Sequence, residues 1–154
     1  MIFKSLLKYS MLSSLRILFL LTVSVLFLLP ACGGKEVKKV SPESQLAQEA
    51  FELAETLKRA YVRKDRAALE IHSTQDAYKG LIGDMKNFDS AELTFTPTWV
   101  AIQDSTVHLT VSWKGTWFMK GKTTEERGIA VFVLEGVPLK LGQIQRSNPF
   151  RQPE

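Results

Sequence analysis

Residues Thr106–Met119 read TVHLTVSWKGTWFM. Val107, Leu109, Val111, Trp113 and Trp117 alternate with Thr106, His108, Thr110, Ser112 and Thr116. In an extended chain a period of two sends the two sets to opposite faces, so this is a long strand with one buried and one polar side. Gly115 is the place where such a strand is expected to bend. Upstream, Leu93, Phe95 and Trp99 alternate with Glu92, Thr94 and Thr98, and Pro97 requires a sheet edge or a bulge because it has no N–H to donate. Downstream, Ile129 to Leu134 is nearly all apolar, and Leu139, Leu141 and Ile144 form a last buried set if Gly142 marks a bulge. Asp104-Ser105, Lys120-Gly121-Lys122 and Glu135-Gly136 supply the turns between these runs.

Before the strands the spacing is helical. Ser41 stands as an N-cap, Pro42 at the first helical position and Glu43 in the first turn, where the helix dipole favours an anion. Leu46, Ala50, Leu53, Leu57 and Ala60 or Tyr61 then recur at intervals of three and four, with Gln48, Glu49, Glu52, Glu55 and Lys58 on the other face. Asp65 opens a shorter helix through His72, offering Ala68, Leu69 and Ile71 for burial. Ser73, followed three residues later by Asp76, has the form of a capping box and opens a third helix, with Ala77, Tyr78, Leu81, Ile82 and Met85 as its stripe.

Helices followed by four strands on short turns predict an α+β domain, with N-terminal helices packed on one face of a curved four-stranded antiparallel sheet. The order resembles the NTF2-like, cystatin-related cone over residues 43–150. The likeness is carried by RKDRAAL (Arg63–Leu69), WKGTWFMKGK (Trp113–Lys122) and IQRSNPF (Ile144–Phe150). It implies helices filling the concave side of the sheet. It also implies a cavity that relatives use for dehydratase or isomerase chemistry, with an Asp base and sometimes a His. Residues 151–154 form a tail.

The N-terminal part has a different composition. Lys4, Lys8 and Arg16 are the only charges before Glu36, and every residue from Ile17 to Leu29 is apolar except Thr22 and Ser24. That run of 13 residues is shorter than the ~20 needed to span a bilayer. A basic start, a short apolar run and small residues form the pattern of a cleavable export signal over residues 1–31. Export makes the lone Cys32 unable to form an intramolecular disulfide, and here the segment resembles the lipobox of bacterial lipoproteins: Leu29, Ala31, Cys32 and Gly33. The resemblance implies cleavage after Ala31 and diacylation of the Cys32 sulfur. With Gly33 following the cysteine, it also implies transfer to the outer membrane of a Gram-negative bacterium, the face being left open. Two or more acyl chains anchor stably. Residues 32–42 then form a tether no longer than roughly 35 Å, with Lys35, Lys38 and Lys39 near head groups or simply solvated.

Loss of the leader also changes the charge reading. Without Lys4, Lys8 and Arg16, the +4 precursor is left with 17 basic against 16 acidic side chains. A balance near zero provides no general field for phosphates, which argues against nucleic acid. His72 and His108 are not spaced as a metal-ligand pair and the only cysteine is committed to lipid, so no metal is expected. Gly80 and Gly83 lie in a helical pattern with no preceding strand, so no phosphate loop and no cofactor is expected either. His72 reads as a helix-end residue. His108 belongs to the polar side of its strand, and a general base needs burial and an orienting partner. Phe95, Trp99, Trp113, Trp117 and Phe132 are the candidate cavity lining for a small apolar ligand, the alternative being that these rings fill the core. The threonine-rich opposite face with His108 is available to another sheet or protein. The expected function is therefore that of a membrane-tethered, non-catalytic envelope module for a protein partner or small apolar ligand. The alternative is a dehydratase- or isomerase-type enzyme with a base inside the cone.

Overall fold

The computed structural model describes residues 41–152; the export signal, Leu29, Ala31, Cys32, Gly33 and all of the tether except Ser41 and Pro42 lie outside them. Three helices come first: α1 (Pro42–Val62), α2 (Arg66–Ile71) and α3 (Gln75–Asp84). Four strands follow: β1 (Ser90–Gln103), β2 (Thr106–Met119), β3 (Lys122–Glu135) and β4 (Lys140–Arg146). They form one antiparallel meander in the order β1-β2-β3-β4. None of the helices is long and apolar enough to cross a membrane.

The helices start where their caps put them. The Ser44 amide donates to the Ser41 hydroxyl at 3.2 Å, and Ala68 N–H donates to Asp65 Oδ1 at 3.0 Å. Hydrogen bonds from the backbone and Ser41 hold the Glu43 carboxyl below its ordinary value, as expected for an anion at a helix N-terminus. The third cap differs from the capping box expected at Ser73. Thr74 is the N-cap of α3, its hydroxyl accepting from Ala77 N–H at 3.3 Å, while Ser73 is buried beside β4. Two backbone bonds hold it there: Thr74 N–H to Leu141 O at 2.8 Å, and Leu141 N–H to His72 O at 2.9 Å. Ser73 thereby makes a one-residue parallel bridge to Leu141. Between the helices this bridge stands in place of the strand whose absence the sequence suggested.

α1 lies across β1 and β2, and α3 lies along β4. The inward stripe of α1 is Ala50, Leu53, Ala54, Leu57, Ala60 and Tyr61, all buried. It meets the inner face of β2, where Val107, Leu109, Val111 and Trp117 have no exposed surface. β2 does not break at Gly115: its register continues through that residue against both β1 and β3. Gly115 instead makes room, because a Cβ there would lie 2.3 Å from Cη2 of Trp117. The extra residue in β4 is where the sequence places it, since the register with β3 shifts between Val133 and Leu134, opposite Gly142.

Candidate functional site

The rings proposed as a cavity lining occupy two different places. Phe95, Trp113, Trp117 and Phe132 point inward and are buried. Phe95 stacks on Phe132 at 5.7 Å, and Phe150 closes on both at 6.0 Å and on Tyr61 at 5.1 Å. Trp113 and Trp117 meet edge to face at 6.4 Å. Both indole N–H groups are satisfied, Trp117 by the Tyr61 hydroxyl at 2.9 Å and Trp113 by Ser147 O at 3.1 Å. Burial pushes the Tyr61 hydroxyl up to about 12, partly offset by the Trp117 hydrogen bond, so it stays neutral at any physiological pH. These rings are core, held by offset aromatic packing and satisfied polar tips.

Trp99 is the correction. It is 68% exposed and sits on the outer face of the sheet, away from the other four rings. The register between β1 and β2 shifts between Pro97 and Trp99, and the extra residue, Thr98, reverses the alternation beyond it. Phe95 pairs with inward Trp113, whereas Trp99 pairs with outward Thr110. The edge position or bulge that Pro97 required is met twice over, because β1 is an edge strand and carries the bulge.

The enzyme alternative finds no group to use inside. No Asp, Glu or His is buried among the described residues. His108 is half-buried on the outer face, between Ala101 and Val133. His72 caps α2, donating its backbone N–H to Ala68 O and Glu70 O. No cluster of His, Cys, Asp and Glu fit to hold a metal ion occurs among the described residues. Two open grooves flank the core. One of about 370 Å³ runs between α3 and β4, past Gly80, Asp84, Gly142 and Asn148. The other, of about 540 Å³, is lined by Arg146, Ser147, Arg151 and Gln152 with Glu126. Asn148 Nδ2 donates to Asp84 Oδ2 at 3.1 Å on the wall they share. Both grooves are polar and neither reaches the ring cluster.

The outer face of the sheet offers more. Its rows run Thr96–Ser112–Ile129, Trp99–Thr110–Val131–Gln145 and Ala101–His108–Val133–Gln143. None of these residues is an acid, a lysine or an arginine, and Ile129 is 48% exposed. Below them lies the row Thr94–Lys114–Arg127, and above them Gln103–Thr106–Glu135–Lys140. The sequence reading assigned the threonines and His108 to this side but did not identify Ile129, Val131, Val133 and Trp99 as part of it. The signal was present in β3: an apolar run with no alternation is the pattern of a strand covered on both sides.

No protein-family model matches the chain, and no curated protein matches it. A solved structure does: a nuclear transport factor 2 (NTF2-like) superfamily protein from Salmonella enterica subsp. enterica serovar Typhimurium str. LT2, with a TM-score of 0.57 over 70% of this chain and 93% of that one. The fold is NTF2-like. At 14% identity the likeness concerns the fold alone. In this NTF2-like cone the concave side is filled with rings, and the sheet's charge-free surface is on its convex back.

Proposed function

We propose that the chain is the precursor of a lipid-anchored envelope protein whose domain works by binding another protein rather than by catalysis. The lipobox-like run Leu29, Ala31, Cys32 and Gly33, after an apolar stretch too short to span a bilayer, supports the anchor. The observation that carries the binding role is the division of the sheet into two faces. Inside, Phe95, Trp113, Trp117, Phe132 and Phe150 pack on one another, leaving neither a base nor room for an apolar ligand. Outside, Trp99 and Ile129 hold large apolar groups in water at the centre of a surface free of acids, lysines and arginines. Charge-depleted, aromatic-bearing patches with a charged rim are the anatomy of protein interfaces.

Two measurements test the reading. Cys32→Ala is expected to move the protein from the membrane to the soluble fraction of disrupted cells, and a variant that still sediments with membranes refutes the anchor. Native mass spectrometry of protein taken gently from membranes is expected to show a protein–protein complex. A species carrying only a small molecule refutes the binding role as stated.

A further inference from the structure

We propose that the outer face of the sheet is covered by the same face of a second copy of this chain, about a two-fold axis along the Thr110–Val131 row. This rests on the reading of that face as an interaction surface. The outward positions of β3 run Arg127, Ile129, Val131, Val133, Glu135. They are apolar in the middle and carry opposite charges four residues to either side of Val131. A two-fold axis in the plane between two sheets, perpendicular to β3 at Val131, lays β3 antiparallel over its own copy. Arg127 of each copy then faces Glu135 of the other, Ile129 faces Val133, and Trp99, in the axial row, meets its own counterpart. Isologous contacts have this self-complementarity.

Arg127 and Glu135 are both exposed, and neither makes an ion pair or side-chain hydrogen bond with another described residue. Aligned sheets pack about 10 Å apart with their strands rotated by about 30°. Four residues from the axis, at ~3.3 Å each, that rotation displaces the two charges by only about 7 Å, within reach of an arginine and a glutamate extended toward each other. From Arg127 to Glu135 the face is about 26 Å long, and four strands make it about 19 Å wide, so two copies cover about 1,000 Å² in total. That area meets the lower bound for a specific interface and predicts a reversible dimer rather than an obligate one. The neighbouring Lys114 and Lys140 lie on the rim, where like charges of the two copies stay solvated.

The test is sedimentation of the full chain purified from membranes, in density-matched detergent, across micromolar concentrations. Wild type is expected to pass from one copy to two. Arg127→Glu or Glu135→Arg alone sets like charges against each other at both ends of the face, and each is expected to weaken self-association about ten-fold or more. The double variant R127E/E135R reverses both signs together and is expected to restore it, with unfolding temperatures unchanged throughout because both residues are exposed. Failure of wild type to self-associate, or failure of the double reversal to restore the dimer, overturns the proposal. If wild type stays single while Arg127→Glu abolishes a complex with a different protein in native mass spectra, the second copy is refuted and the interaction face survives. If the charge variants change neither, both fall.

Discussion

Gly115→Ala tests the packing of the cone directly, because the glycine is needed for space alone. A Cβ at this position would stand 2.3 Å and 2.7 Å from Cη2 and Cζ3 of Trp117 and 2.8 Å from Cδ2 of Leu93. Contacts of that length cannot be kept, and the indole cannot swing away cheaply. Trp117 is fully buried, edge-on to Trp113, and its N–H is held by Tyr61. Overpacking a fitted core costs ~1–3 kcal/mol, and disturbing the Trp117–Tyr61 hydrogen bond adds about 1 kcal/mol. A total of about 3 kcal/mol is a large part of the ~5–15 kcal/mol that holds a typical domain together. Urea unfolding followed by tryptophan fluorescence should show it. With a slope of ~1–3 kcal/mol per molar, the midpoint should fall by roughly 1–2 M without a change in slope. The same substitution made on a Trp117→Phe background, where the two clashing atoms are absent, should cost less than about 1 kcal/mol further, the signature of a coupled pair. An unchanged midpoint for Gly115→Ala alone, or an equal cost in both backgrounds, would refute the account of Gly115 as room for the indole.

Neighbouring hydroxyls around the third cap should respond with opposite signs. Thr74→Ala removes the cap of α3 and should cost about 1 kcal/mol, whereas Ser73→Ala removes a buried hydroxyl without a hydrogen-bond partner and should be neutral or stabilising; thermal unfolding of the two variants decides which residue caps. Tyr61 should make stability fall in strong base. Its hydroxyl has an ordinary value of 10.0 and is pushed up to about 12 in the fold, so its contribution is complete below pH 10 and is lost as pH rises from 10 toward 12. Melting temperatures across that interval should show a decline that Tyr61→Phe reduces. Trp99→Ala should change unfolding free energy by less than about 0.5 kcal/mol, since the ring is exposed, yet it should weaken whatever binds the outer face, and a loss of stability of several kcal/mol would place the ring in the core after all.

The architecture was legible because its periods are clear. Alternation from Val107 to Trp117 defines β2, and three-and-four spacing from Leu46 to Tyr61 defines α1. Both patterns are set by burial against a single core, and the structure buries the expected sides. Local chemistry was read less well where two residues compete for one role. Ser73 and Thr74 are both able to cap, and the choice falls to Thr74 because Ser73 is drawn to Leu141 of β4, a partner far away in sequence. Trp99 was misplaced for a related reason: Pro97 announces an edge or a bulge without saying how many residues the irregularity adds. The outer face was half legible. Thr106, Thr110, Ser112 and Thr116 mark it on β2, but the apolar contribution of β3 appears only once Ile129, Val131 and Val133 are laid in register beside them.

The unpaired residue at Thr98 has a consequence for how this surface can change. Beyond it, the parity of β1 is inverted, and each side chain from Trp99 to Gln103 lies opposite to where uninterrupted counting would put it. Deleting one codon there would restore the count, turning the indole toward the helices and Val100 and Ile102 toward water, while the strands on either side of the hairpin kept their composition. Insertions and deletions of single residues at this point thus exchange interior for exterior along a whole half-strand, a larger change than any substitution on that strand can make.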